Sequence, residues 1–153
     1  MSDFDSVLRE WYEGERSGAA FFDRLADAAE NEEARKWSLL GKLESATADR
    51  LRAACADASV RLEDTPADAN LLQYAKTMAE LPWQTNMEGL VPQLEKAVDE
   101  IRARADEAPP AQAEISREFL AHEEALLGFV RLELDGRDGS PAVESLLKAW
   151  SAA

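Results

Sequence analysis

The sequence predicts an all-α protein, a four-helix bundle built from two helical hairpins. Apolar residues recur every three or four positions along four long segments, which is the period of an α-helix. Glycine and proline are scarce, at seven and six residues, and no stretch alternates for long enough to predict a strand. A crossover of about thirty residues separates the second and third segments, which favours a bundle with one long crossover.

The first predicted hairpin spans two long helices over about residues 4–30 and 31–58. The apolar stripe of the first helix is interrupted by Glu15. The second helix has a stripe that is also interrupted once by a carboxylate. Its predicted inner positions are Trp37, Leu40, Glu44, Thr47, Leu51 and Cys55. Each arm of this hairpin therefore carries one glutamate on its apolar stripe. The two side chains either meet in the interior or are solvated at the edge of the stripe.

The crossover begins with a predicted loop at residues 59–65. Thr65 is a good N-cap residue, and proline is favoured at the first position of a helix. The pair Thr65-Pro66 therefore predicts the start of a short helix over about residues 66–80.

The second predicted hairpin consists of a third helix, with apolar positions over 87–105, and a fourth helix over about 111–134. Pro92 is expected to fit only in the first turn of the third helix, because proline removes a helical hydrogen bond elsewhere. Ser140-Pro141 then predicts the cap of a last short helix that ends near Trp150.

Composition excludes several functional classes. The net charge of -14 makes binding to nucleic acid unfavourable. No apolar run approaches the roughly 18 residues that span a bilayer, and the N-terminus lacks the features of a signal peptide. We therefore expect a cytoplasmic protein with one domain over residues 1–153. The single cysteine, Cys55, excludes an intramolecular disulfide and a cysteine-rich metal site, and its apolar neighbours predict burial.

A weak internal repeat relates the two hairpins. Residues 26–44 align with residues 105–123 without a gap, and this alignment places Glu44 on Glu123. Several of the matches are alanines. The informative columns are the glutamates, which suggest that the two hairpins share one pattern of inward carboxylates.

This pattern predicts a group of four carboxylates. Glu15 precedes Glu44 by 29 residues, and Glu95 precedes Glu123 by 28, so each hairpin brings two glutamates to a similar height. Two hairpins that face each other would gather all four. Burial disfavours the charge of a carboxylate unless it is protonated and hydrogen-bonded or compensated by a cation. Oxygen ligands of this kind suit Fe or Mn.

The segment YEGERSGAAFFDRLADAAENEEARKWSLLGKLE, residues 12–44, resembles the first two helices of the ferritin-like superfamily, and of rubrerythrin-type proteins most. The resemblance implies a ferritin-like four-helix bundle with a di-metal carboxylate site. In that superfamily two helices each supply a glutamate and two supply Glu-x-x-His. The implied metal ligands are Glu15, Glu44, Glu95 and Glu123, and the implied activity is oxidoreductase chemistry on dioxygen or peroxide.

The chain departs from that motif at both histidines. Thr47 stands three residues after Glu44, and Leu126 stands three residues after Glu123. The third helix also departs from it, because Leu94 is more inward than Glu95 in the apolar stripe. Glu88 is a weaker substitute for Glu95 as the ligand from the third helix. The chain also lacks the four-cysteine electron-transfer module of rubrerythrins.

His122, the only histidine, is open to two interpretations. It could replace a lost imidazole as a metal ligand. Alternatively, it is a residue at the core boundary, paired with Glu118 or hydrogen-bonded locally. On a helix it lies about 100° from Glu123, so the two side chains are not expected to point the same way.

Three functions are consistent with the sequence. The first is an altered ferritin-like site that binds Fe or Mn, with Zn as a substitute, for redox chemistry or metal handling. The second is a metal-free bundle that binds a ligand or a protein, with its glutamates neutralised by Tyr12, Thr47 or tryptophan indoles. The third is a helical interaction module that dimerises through tryptophan and leucine side chains. A homodimer is expected from the four tryptophans.

Overall fold

A computed structural model describes residues 3–152. In this range the chain forms six α-helices and one short 3-10 helix, and it contains no β-strand. The helices are α1 (Asp3–Ala28), α2 (Asn31–Asp57), α3 (Ala69–Ala79), α4 (Trp83–Glu107), α5 (Ala113–Leu134) and α6 (Ser140–Ser151), with the 3-10 helix at Pro110–Gln112. The all-α prediction is confirmed.

The helices group into two compact units, with the boundary between Ala79 and Glu80. In the first unit α2 packs along α1, and the short helix α3 packs on α1. In the second unit α5 packs along α4, and the short helix α6 packs on α5. Each unit is thus a hairpin of two long helices with a third, short helix on one arm. The single domain and the ferritin-like bundle remain predictions.

The core of the first unit matches the apolar stripes closely. All six inner positions predicted for α2 are buried, including the thiol of Cys55. On α1 the buried set includes Leu8, Phe22 and Leu25. Phe22 stacks on Trp37 of α2 at a ring-centroid distance of 5.9 Å. This packing fixes the register of the two arms and therefore the height of their glutamates.

The last turns of α2 and α5 end in the same way. After α2, Ser59 takes a left-handed backbone conformation with φ 58°, and the next amide donates to the Cys55 carbonyl at 2.7 Å. After α5, Gly136 has φ 74°, and the next amide donates to the Leu132 carbonyl at 2.9 Å. Both are Schellman motifs, which satisfy the free carbonyls of a helix end.

The predicted start of α3 at Thr65-Pro66 is wrong, because the helix begins at Ala69. The Asp68 carboxylate caps it instead by accepting the Asn70 amide at 2.9 Å. The Thr65 carbonyl accepts a hydrogen bond from a side chain of α1, so this residue belongs to the connection that precedes the helix.

The expectation for Pro92 is also wrong. The helix α4 begins at Trp83, so Pro92 lies well inside it. Proline has no N–H to give the Glu88 carbonyl four residues earlier. Both residues are exposed, so water can take the place of that missing donor.

The start of α6 at Ser140 is confirmed, although its cap differs from the prediction. The Ser140 amide donates to the Asp138 carboxylate at 3.0 Å, and the Gly139 amide donates to Glu133 at 2.7 Å. A side chain at Gly139 would overlap the Phe129 carbonyl oxygen, so only glycine fits this turn. None of the described helices combines the length and the apolar composition needed to cross a membrane.

Candidate metal-binding residues

In the first unit, Glu15 of α1 and Glu44 of α2 form a buried pair of carboxylates. Their exposed fractions are 7% and 5%. One carboxylate oxygen of each residue lies within 4.8 Å of the other. Both glutamates, which interrupt apolar stripes in the sequence, are therefore buried, and the hairpin brings their two side chains together.

Gly18 makes the close approach of Glu44 to α1 feasible. A Cβ atom at this position would lie 3.1 Å from Glu44 Oε1 and 3.2 Å from its Cδ. Gly18 lies one turn after Glu15, so the Glu44 carboxylate rests against the α1 backbone beside the first glutamate. Periodicity did not identify this residue; its sequence signal is a small residue three positions after an inward glutamate.

Two buried carboxylates at this separation interact strongly and unfavourably when both are charged. Burial adds to the cost, because it removes the water that would stabilise each charge. Protons, hydrogen-bond donors or a cation must compensate the pair.

The two hydroxyl groups expected to neutralise this pair have other acceptors. The Thr47 hydroxyl donates to the Leu43 carbonyl at 2.7 Å. The Tyr12 hydroxyl donates to Asp64 Oδ1 at 3.2 Å. Each hydroxyl has one hydrogen to donate. The hydroxyl hydrogens of Tyr12 and Thr47, which the metal-free alternative assigned to the glutamates, are therefore donated to other acceptors.

In the second unit, His122 of α5 is fully buried, so it does not lie at the core boundary where one interpretation placed it, although it makes the local contact that this interpretation expected. Its Nδ1 atom lies 3.3 Å from the Phe119 carbonyl oxygen and 3.3 Å from Glu123 Oε2. Both neighbours are acceptors, so we assign the hydrogen to Nδ1 in the neutral ring. Nε2 then keeps its lone pair.

The contacts of the His122 ring are compatible with metal binding. Histidines that bind a metal usually donate one ring N–H to a carbonyl or a carboxylate, which fixes the ring and the tautomer. The ring of His122 also stacks on Phe119, at a centroid distance of 5.2 Å. Glu123, which is 9% exposed, lies where it can orient the imidazole, a role that the sequence repeat did not predict.

The structure does not place Glu95 with the buried carboxylates. The Glu95 side chain is 50% exposed and lies 3.8 Å from an Arg131 nitrogen. The buried residues of α4 are Asn86, Met87, Leu90, Val98 and Ile101. The buried side of α4 therefore excludes Glu95, and the suggested substitute Glu88 is exposed as well.

Comparison of the chain with family models, with curated proteins and with solved structures gives no match. The resemblance to the ferritin-like superfamily therefore rests on the sequence pattern, and function has to be argued from the side chains.

Proposed function

We propose that this protein is a ferritin-like metal-binding protein in which Glu15 and Glu44 hold a divalent cation. The buried pair of carboxylates within 4.8 Å of each other carries the proposal. In this proposal the two hairpins pack as one bundle, and His122 of the second hairpin supplies a third ligand through Nε2. Glu123 then orients the imidazole from the opposite side of the ring.

The charges of this ligand set support a divalent ion. Two carboxylates and a neutral imidazole carry a formal charge of about -2, so a divalent cation leaves the buried group with no net charge. Carboxylate oxygens with one imidazole suit Fe, Mn or Zn. Glu95 is left out, because it is exposed and has a cationic neighbour.

The missing histidines favour metal handling or an altered redox site over a conventional di-iron oxidase. Thr47 and Leu126 offer no imidazole where the ferritin-like motif would have one. Fewer protein ligands leave coordination positions for water or a small substrate, and they hold the ion less tightly. A redox-active ion at this site would supply electron transfer to dioxygen or peroxide. The protein would supply a buried, oriented set of ligands.

Metal analysis of protein purified without chelator tests the proposal. We expect bound Fe, Mn or Zn in the wild type, and loss of that metal in Glu15→Gln, Glu44→Gln and His122→Gln. The matched control is Glu95→Gln, an acidic residue of the second hairpin that is exposed, which should retain the metal. Substoichiometric metal that Glu44→Gln leaves unchanged would contradict the proposal and favour the metal-free interaction module.

Thermal stability gives a second test, because Glu44→Gln should change Tm in opposite directions in the metal-free and the metal-loaded protein. In metal-free protein, Glu44→Gln should raise Tm, because it removes one of two repelling carboxylates. With metal at about 100 times Kd, the wild type should gain about 2.7 kcal/mol that the variant lacks. A variant that is less stable than the wild type by the same amount in both forms would indicate an ordinary buried acid.

A further inference from the structure

A groove of about 260 Å³ runs between α1 and α2 in the first unit. Its polar side chains come from Tyr12, Arg16, Ser45, Asp49 and Arg52, and two alanines line the rest. Tyr12 is 1% exposed, while the two arginines reach the surface. The groove thus combines a buried phenol, two guanidinium groups, a hydroxyl and a short apolar wall, with the exposed carboxylate of Asp49 at its edge.

One carboxylate oxygen already contacts three of the polar side chains that line this groove. Asp64 Oδ1 lies 3.2 Å from the Tyr12 hydroxyl, 3.5 Å from an Arg52 nitrogen and 4.0 Å from Arg16 Nε. Arg52 also donates a hydrogen bond to the Tyr12 hydroxyl. The guanidinium carbons of Arg16 and Arg52 lie 5.9 and 5.1 Å from the centroid of the Tyr12 ring. This is a carboxylate-binding arrangement built from three side chains.

Asp64 is held there weakly. Its side chain is 64% exposed, and its two distances to guanidinium nitrogens exceed the roughly 2.7–2.9 Å of a strong charged hydrogen bond. The connection that carries it is held to α1 by other bonds: Arg9 donates to the Arg61 carbonyl and Arg16 to the Thr65 carbonyl, both at 2.8 Å. The Asp64 carboxylate can therefore leave while the connection stays in place.

We propose that this groove binds a small organic carboxylate, and that Asp64 fills the carboxylate position when the ligand is absent. Guanidinium groups pair with carboxylates through two parallel hydrogen bonds, which Asp64 makes only in part. The volume is below the roughly 300–1,000 Å³ of pockets for drug-sized ligands, so the acid has few carbon atoms. Ala19 and Ala48 would contact its apolar part. The inference is independent of the metal site.

Calorimetric titration with succinate and with acetate tests the proposal, with sodium chloride of equal ionic strength as the blank. We expect saturable binding to the wild type. Asp64→Ala should bind about two- to fivefold more tightly, the factor that corresponds to the modest free energy of an exposed ion pair. Arg52→Gln should lose binding, and Arg52→Lys should bind more weakly than wild type, because lysine keeps the charge without the planar fork.

The control is Arg35→Gln on α2, where the arginine pairs with Glu32 on the exposed side of the same helix. It should bind the acids as the wild type does. Circular dichroism establishes that each variant is folded. Absence of saturable binding in both wild type and Asp64→Ala would overturn the proposal. Equal affinity in folded Arg52→Gln and Arg35→Gln would overturn it too, because binding would then not involve the groove.

Discussion

The ionisation of Tyr12 is affected by its surroundings in the fold. Burial is the largest cause and raises the pKa of the phenol above its usual 10.0. The neighbouring guanidinium of Arg52 acts in the opposite direction, and the hydrogen bond to Asp64 raises the pKa again. Because folding raises this pKa, the neutral phenol contributes stability below about pH 10, and that contribution is lost as pH rises through the folded value.

Replacing Asp64 by Asn should lower the pKa of Tyr12. The substitution removes a carboxylate that accepts the phenol hydrogen and repels the phenolate. The chain has two tyrosines, so the Tyr74→Phe background leaves Tyr12 as the sole reporter in an ultraviolet titration of tyrosinate. The control is the same titration of the Tyr74→Phe protein without the second substitution. A higher pKa in Asp64→Asn would contradict the assigned hydrogen bond.

Residue-scale prediction succeeded where a polar residue interrupts a clear apolar stripe. Glu15 and Glu44 interrupt such stripes and are buried together. His122 was harder to place, because Glu123 follows it directly and α5 buries a wide face that includes both residues. Glu95 was placed by its spacing from Glu123, and spacing alone does not define which side of a helix is buried. Gly18 had no periodic signal, because its role is the space that its missing side chain leaves.

At the scale of elements, the two Schellman motifs differ in one important respect. The left-handed residue after α5 is glycine, whereas the one after α2 is Ser59. Residues with a side chain pay about 1 kcal/mol or more in this conformation, and glycine does not. The end of α2 is therefore strained and the end of α5 is not.

Ser59→Gly should stabilise the protein by about 0.5–1 kcal/mol, and Gly136→Ser should destabilise it by a similar amount. The gain at residue 59 is reduced by the greater freedom of glycine in the unfolded chain. Urea unfolding followed by circular dichroism measures both changes. A destabilising Ser59→Gly would show that the serine side chain contributes more than its backbone strain costs.

The ends of helices were predicted well where apolar periodicity defines them. They were predicted poorly where the prediction depended on capping residues. The helices α1 and α2 have ends within a few residues of the prediction, because long stripes define them. The start of α3 was misplaced because Thr65-Pro66 has the composition of a cap, yet Asp68 supplies it. Pro92 was misjudged because a long helix can tolerate one missing bond where the carbonyl is exposed.

Across the whole molecule, negative charge is in large excess. The chain has 31 acidic residues against 17 basic ones, which gives the net charge of -14. Self-repulsion of this kind destabilises the folded state and opposes association of two copies. The homodimer expected from the sequence would form against this repulsion, and it remains a prediction.

Sodium chloride should therefore raise Tm. Screening shortens the range of repulsion to about 10 Å at 0.1 M salt. If screening raises the free energy of unfolding by about 1 kcal/mol, Tm rises by about 2–4 °C. A variant with three exposed acids neutralised, Glu10→Gln, Glu63→Gln and Glu80→Gln, should show a smaller rise. A fall in Tm with salt would mean that favourable ion pairs outweigh the net repulsion.

The only thiol of the chain lies at the point where α2 passes into the connection that carries Asp64. Cys55 is fully buried, and burial raises the pKa of its thiol. Its carbonyl accepts the Val60 amide, so opening of this helix end breaks that bond. The rate at which a thiol reagent labels the native protein therefore measures the rate at which the C-terminal end of α2 opens. Labelling of Cys55 therefore reports local unfolding at a single site, because the chain has no second cysteine that could react.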